Sequence, residues 1–206
     1  MRGAALAFAL LAGAAPASAA QVDGNTKQRL VEAYARAFGD ECATDRQEFL
    51  EATRYYAFED KGSGDADAVL AIFLCSRGAY HELHAVLLAS GRWVTPIAFA
   101  QPVLDIRKRP GGAFGTDVLE SLSVRGFAAA RTVLNADFDP ETTTLSEGGR
   151  WRGIGDASSY SEHGYEKGRF VLRRHIADPT YNGEVDPLVV IEDGRAIEPR
   201  PVDGAK

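Results

Sequence analysis

The stretch that most constrains the fold covers residues 135–175, where short runs of β-prone side chains alternate with turn signals. The turn signals are Asp139-Pro140, Gly148-Gly149 and Lys167-Gly168. Strands that are joined by such short turns pair with their neighbours in antiparallel fashion. We therefore expect a β-meander here, with a hairpin formed by residues 160–165 and 169–176. The two consecutive glycines are expected to break one strand before another begins at residues 151–154.

The sequence before this meander predicts one helix and then further strands. Residues 25–39 place apolar side chains at helical spacing, between a capping Asp23 or Asn25 and a terminating glycine. Residues 44–58 fit either a short second helix or a strand. Residues 68–75 (AVLAIFLC) are a continuous apolar run of strand length, which indicates a central strand that is buried on both faces.

A second hairpin is indicated around Ser90-Gly91, with Pro96 marking its second arm as an edge strand. Because strands dominate and most connections are short, we predict an α+β fold, mainly antiparallel sheet with one or two N-terminal helices. Residues 21–206 are expected to form a single globular domain, with its β-rich body at residues 68–192. A split into two domains near residues 107–114 is the alternative.

Residues 1–20 have the pattern of a signal peptide. Arg2 is followed by an apolar segment, and Ala17-Ser18-Ala19 supplies the small residues of a cleavage site. An uncleaved membrane anchor is the alternative, although the apolar segment is shorter than a membrane span. We expect a periplasmic or secreted protein, with no membrane span after cleavage.

Charge argues against some classes of partner. The chain has 23 Lys and Arg against 29 Asp and Glu, a net charge of −6, and no sustained basic stretch. Nucleic acid is therefore a poor partner, because its recognition relies on clustered basic side chains. We also expect no cofactor.

The two cysteines, Cys42 and Cys75, can form only one intramolecular pair. In an exported protein an even cysteine count indicates a disulfide. Cys42 follows the predicted helix and Cys75 ends the predicted central strand, so a bridge would hold the helix against the sheet. Two buried free thiols are the alternative.

Four segments resemble a bacterial family that is known as domain of unknown function 1176. They are residues 75–80 (CSRGAY), 138–142 (FDPET) with Leu145-Ser146 after it, 152–156 (RGIGD) and 168–172 (GRFVL). The resemblance implies an exported, cysteine-containing envelope protein and carries over no catalytic residue. It also implies that Ala157 and Tyr181 stand where relatives have two further cysteines, so this chain must hold its C-terminal hairpin by packing.

The strongest candidate for a binding site is Trp151, Arg152 and Asp156, where two glycines leave room for a ligand or for another part of the chain. Catalysis by an envelope hydrolase would combine Ser158, Ser159 or Ser161 with His163 and with Glu162 or Asp156. We expect the glycines to have a structural role instead, and we treat the catalytic residues as the weaker hypothesis.

Two other polar clusters favour structural interpretations. His81 and His84 are three residues apart, whereas a zinc-protease helix places its histidines four apart, so we expect no metal site. Asp137, Asp139 and Glu141 could attract calcium, but an Asp139 side chain bonded to its own turn is the better interpretation.

The sequence thus predicts a non-enzymatic binding module, exported to bind an envelope protein or a cell-wall component. Its expected contact surface is the sheet edge at residues 92–100, because an edge strand offers free backbone donors and acceptors. An envelope hydrolase with a polar site near Arg152, Asp156 and His163 is the alternative.

Overall fold

The structure, a computed structural model, describes residues 22–60, 68–112 and 116–202. Strands account for 57% of it and helices for 12%, which confirms the predicted α+β class with mainly antiparallel sheet. The elements are α1 (Gly24–Phe38), α2 (Gln47–Glu51), β1 (Arg54–Phe58), β2 (Ala68–Arg77), β3 (Glu82–Ser90), β4 (Trp93–Pro96), β5 (Phe99–Pro110), β6 (Asp117–Ala130), β7 (Thr132–Leu134), β8 (Asp137–Asp139), β9 (Thr144–Arg150), β10 (Ser158–Glu166), β11 (Arg169–Asp178), β12 (Leu188–Glu192) and β13 (Arg195–Pro201).

The strands form three antiparallel sheets. The first has the order β1-β2-β3-β4, with β7 also pairing with β3. The second is a six-stranded meander with the order β13-β12-β11-β10-β9-β8, and the third is the long β5–β6 hairpin. The predicted hairpin over residues 160–176 is β10–β11, whose turn residues Lys167 and Gly168 both have positive φ.

Helix α1 begins where it was predicted, because the Asp23 side chain accepts a hydrogen bond from the backbone N–H of Thr26 at 2.9 Å. Its buried face includes Tyr34, whose ring stacks on Phe73 of β2 with centroids 4.3 Å apart. Cys42 and Cys75 form the predicted disulfide, with an S–S distance of 2.00 Å. The bridge therefore joins the end of the helix to the central strand.

The apolar run at residues 68–75 is the buried strand that its sequence predicted, and it divides the core in two. One face of β2 contributes Leu70 and Ile72 to a cluster that also contains Phe138 of β8, so the first two sheets pack face to face. The other face contributes Ala71 and Phe73 to the cluster beneath α1. A third cluster lies between the β5–β6 hairpin and the second sheet.

Three predictions about local structure need correction. Gly148-Gly149 does not break a strand, because both glycines are paired within β9, and residues 151–154 form a turn. Gly148 is extended but crowded: a Cβ atom there would lie 2.3 Å from the backbone oxygen of Ser159. The pair of glycines thus permits close pairing of β9 with β10.

The β-rich body also extends beyond the predicted residues 68–192, since β1 precedes it and β13 follows it. Residues 44–58 contain both alternatives, α2 and then β1.

The predicted signal peptide lies outside the described residues. The two-domain alternative places its boundary near residues 107–114, and the first four of these residues, 107–110, belong to β5. Within the described ranges, no helix has the length and apolar character that crossing a membrane requires.

Candidate functional site

The turn that follows β9 contains the predicted binding residues. It is closed by a 2.7 Å hydrogen bond from the N–H of Trp151 to the carbonyl of Ala157, and by a 3.0 Å bond from the N–H of Gly155 to the carbonyl of Arg152. Gly155 has a φ of +79°, which favours glycine. The turn therefore has a fixed backbone, with Trp151 and Ile154 exposed on it.

Arg152 and Asp156 are adjacent, as predicted, but they bind each other. The guanidinium of Arg152 donates to both carboxylate oxygens of Asp156, with 2.6 Å from Nε to Oδ1. The N–H of Gly183 donates to the same carboxylate at 2.9 Å. These donors, of which Arg152 has the largest effect, lower the pKa of Asp156 to about 2. Asp156 is 2% exposed, so its carboxylate has little surface left for a ligand.

Tyr181 connects this ion pair to the end of the β5–β6 hairpin. Arg152 lies 4.6 Å and Lys108 lies 4.4 Å from the centre of its ring. Lys108 also donates a 2.6 Å hydrogen bond to Asp117. The Tyr181 ring is thus held between chain segments by two cations. These contacts supply packing at one of the two positions where the family resemblance implies cysteines.

His163, the histidine of the hydrolase hypothesis, belongs to a different cluster. Its side chain is completely buried, beside the Phe99 ring at a centroid distance of 5.0 Å. The carboxylate within ion-pair range is Glu147 at 3.8 Å, and neither ring nitrogen has a hydrogen-bond partner among the described residues. Within the described ranges, no hydrogen bond or ion pair joins His163 to Arg152 or Asp156, so the catalytic arrangement of the hydrolase hypothesis is not assembled.

Glu147, Ser161 and His175 lie in one row across β9, β10 and β11 on the buried side of the meander. The hydroxyl of Ser161 and Nδ1 of His175 are 2.9 Å apart. Burial opposes ionisation of Glu147, but polar contacts with its neighbours, among them a 2.9 Å hydrogen bond from Gln101, hold its pKa below the ordinary value. Although it contains a serine, a histidine and a carboxylate, this row is buried, with 7% of Glu147 and 5% of His175 exposed.

The two remaining polar clusters also take part in local structure. Nδ1 of His84 accepts a 3.2 Å hydrogen bond from the N–H of Ala136. Asp139 accepts hydrogen bonds from the N–H of Glu141 at 2.9 Å and from the hydroxyl of Thr142 at 2.8 Å. The preferred interpretation of Asp139, bonding within its own turn, is confirmed.

The predicted edge at residues 92–100 is narrower than expected. Of residues 92–100, only those of β4 lie at the sheet edge, where Trp93 is 66% exposed. Ile97 and Phe99 are buried, so the second half of this stretch is core. Any contact through this edge is limited to the four residues of β4.

A groove that the sequence did not predict lies beside Trp151, with a volume of about 530 Å³. The residues that line it are Tyr80, Asn135, Gly148, Gly149, Arg150, Ser158, Ser159 and Tyr160. Trp151 borders it, because its indole N–H donates a 3.2 Å hydrogen bond to the hydroxyl of Ser159.

The walls of this groove, which we call the aromatic groove, are fixed by contacts between distant segments. Asn135 accepts a 2.9 Å hydrogen bond from the N–H of Glu82 and donates one of 2.8 Å to the carbonyl of Gly148. The Tyr80 ring lies on Gly153, where a Cβ atom would come within 3.1 Å of it. The room left by this glycine is therefore filled by a side chain of the β2–β3 turn.

Comparison of the chain with protein-family models, with curated proteins and with solved structures finds no match. The resemblance to domain of unknown function 1176 stays a prediction.

Proposed function

We propose that this chain is an exported binding module and that its ligand is a component of the cell envelope. The apolar N-terminal segment and the Cys42–Cys75 disulfide support export, because disulfides persist in oxidising compartments such as the periplasm. Kinship with domain of unknown function 1176 is part of the same proposal.

The observation that carries the proposal is the exposure of three aromatic side chains in and beside one groove. Tyr80 is 65% exposed, Trp151 39% and Tyr160 36%. Burial of such side chains on binding contributes strongly to affinity, and rigid aromatic side chains lose little conformational entropy. Because hydrogen bonds between distant segments already fix the groove, a ligand would find its binding surface formed in advance.

A hydrolase has less support. His163 has no exposed surface, and Asp156 is fully engaged by Arg152 and Gly183. A catalytic base must come within hydrogen-bonding distance of the proton that it removes, and a substrate cannot reach His163 without opening the core. We therefore retain binding as the proposed function.

Cosedimentation with insoluble bacterial envelope fragments tests the proposal. We expect the mature chain, from residue 21 onward, to sediment with the fragments, and Tyr160→Ala to reduce the bound fraction several-fold. Phe127→Ala is the matched control, since Phe127 is an aromatic residue that is 53% exposed on β6, away from the groove lining. Equal sedimentation of the Tyr160 and Phe127 variants would assign binding elsewhere, and no sedimentation of the wild type would refute the proposal.

A further inference from the structure

We propose that the aromatic groove binds a saccharide that carries a carboxylate group. This inference rests on the proposed function and specifies its ligand. Three properties of the groove support it: exposed aromatic faces, hydroxyl groups that have no hydrogen-bond partner among the described residues, and one cation that forms no ion pair with a described carboxylate.

The aromatic faces suit a sugar ring. Tyr80 and Tyr160 belong to the groove lining, and Trp151 is held at its border by the bond to Ser159. A pyranose ring has an apolar face of C–H groups, which packs against the electron-rich face of an aromatic ring, while its hydroxyl groups project from the edge. Several aromatic side chains around one shallow, open groove therefore offer stacking surfaces for more than one sugar unit.

The polar groups match the edge of a sugar. The hydroxyls of Tyr80, Ser158 and Tyr160 make no hydrogen bond to any other residue that the structure describes. A hydroxyl both donates and accepts, as does each hydroxyl of a sugar, so the two sets can satisfy each other. Aromatic grooves also bind extended proline-rich peptides, but such a peptide presents mainly hydrogen-bond acceptors. It would therefore donate few hydrogen bonds to the oxygen atoms of these three hydroxyls.

Arg150 gives the groove its charge preference. It is exposed, and none of the ion pairs or side-chain hydrogen bonds within the described ranges includes it. Its Cδ and Nε lie 3.0 Å from the position of a Cβ on Gly155, so the side chain packs over that glycine. None of the eight lining residues is acidic, although the whole chain has a net charge of −6. A single unpaired guanidinium favours one carboxylate, which it can bind through two parallel hydrogen bonds.

Polyanions with closely spaced charges fit this groove less well. Single-stranded nucleic acid also stacks on aromatic rings, but its backbone carries a charge at every nucleotide and requires a basic groove. One arginine on an acidic protein does not provide such a groove. A saccharide with one carboxylate on some of its sugar units matches both the aromatic surface and the single cation.

The binding experiment uses Trp151 as its reporter. The chain contains two tryptophans, and Trp93→Phe removes the other one. Four probes are titrated into this variant: a galacturonic acid hexamer, a disaccharide that contains N-acetylmuramic acid, neutral cellohexaose, and a pentaglutamate peptide. The two acidic sugars distinguish a carboxylate on the sugar ring from one on a lactyl ether. We expect at least one of them to change Trp151 fluorescence and to bind about tenfold tighter than cellohexaose.

Substitutions then separate the contributions of charge and stacking. Arg150→Gln is expected to weaken binding of the acidic sugar about tenfold and to leave cellohexaose unaffected. Tyr160→Ala should weaken the binding of both the acidic sugar and cellohexaose. Arg125→Gln and Phe127→Ala are matched controls, because both residues are exposed on β6 and neither lines the groove. Circular dichroism checks that each variant is folded, so that a loss of binding cannot be caused by unfolding.

Three results would overturn the inference: no response to either acidic sugar, equal affinity for cellohexaose, or pentaglutamate binding as tightly as the acidic sugar. The last would indicate a site for anionic peptides. These results can be told apart from failure of the proposed function, since envelope cosedimentation that still depends on Tyr160 would preserve the binding module and remove only its saccharide ligand.

Discussion

Acid should destabilise this fold through two buried histidines, His84 and His175, which are each 5% exposed. Burial disfavours the charged imidazolium and lowers the pKa of both side chains to about 4 from 6.5. Arg54 also lowers the pKa of His84, while Glu147 partly opposes the shift at His175. In both cases Nδ1 takes part in a hydrogen bond within the fold.

The sign and the size of the effect follow from proton linkage. Between pH 6.5 and pH 4 the unfolded chain binds a proton at each position and the folded chain does not, so stability is complete above pH 6.5 and falls as the pH falls. Lowering the pH from 7.5 to 5.0 should cost about 2 kcal/mol for each histidine, or about 4 kcal/mol for the two. At pH 5.0 a carboxylate such as Asp156, whose pKa is about 2, is still ionised and contributes little to the difference.

Urea denaturation at pH 7.5 and pH 5.0 measures this difference in the free energy of unfolding. His175→Asn should remove about half of it, because the asparagine oxygen can take the place of Nδ1 beside Ser161 without binding a proton. His84→Asn should do the same independently, and the double variant should be nearly insensitive to pH over this range. A wild-type difference below about 1 kcal/mol, or one that persists in the double variant, would refute the assignment to these histidines.

Other expected outcomes concern the disulfide, a crowded glycine and the ion pair. Replacing both Cys42 and Cys75 by Ala should lower the free energy of unfolding by about 3.5–4 kcal/mol through loop entropy, because the two cysteines are 33 residues apart. Urea denaturation measures this change, and an unchanged midpoint would contradict the prediction. Gly148→Ala should lower the melting temperature by several degrees, because a Cβ there meets a backbone oxygen at 2.3 Å, whereas Gly126→Ala, with nothing within 4 Å, should not. Asp156→Asn should destabilise the protein at pH 7. In thermal melts the difference in stability between the variant and the wild type should shrink as the pH falls towards 2, because the native carboxyl has a pKa of about 2. A difference that is independent of pH would argue against the ion pair.

Sequence patterns predicted the parts of the fold that depend on local or continuous signals. The apolar run of β2 could only be buried, and Asp23 and the apolar spacing of α1 define a helix without reference to the rest of the chain. The disulfide was predicted from the cysteine count together with the expected export. By contrast, Gly148 looked like a strand break because glycine is common in turns. The contact that requires it, the backbone of β10 pressed against β9, is visible only when both strands are in place.

For the same reason, the sequence predicted only those parts of the candidate site that are close together along the chain. Arg152 and Asp156 are four residues apart, and a short turn brings them together. Tyr80 is about 70 residues earlier in the chain, and only the packing of the β2–β3 turn against Gly153 brings it to the groove. His163 failed as a candidate because alternation along β10 placed it on the buried face. Sequence spacing cannot decide which face is buried until the partner sheet is known.

The glycines within and just after β9 are best understood as the means by which the groove is built. Gly148 allows the backbone of β10 to approach, Gly153 accommodates the ring of Tyr80, and Gly155 accommodates the side chain of Arg150. At each of these positions a Cβ atom would displace a group that shapes the aromatic groove. A glycine-rich segment would ordinarily suggest flexibility, but here each missing side chain is replaced by a neighbour at van der Waals distance or closer. The segment is therefore densely packed, and the same packing fixes the aromatic and basic side chains to which we assign ligand binding.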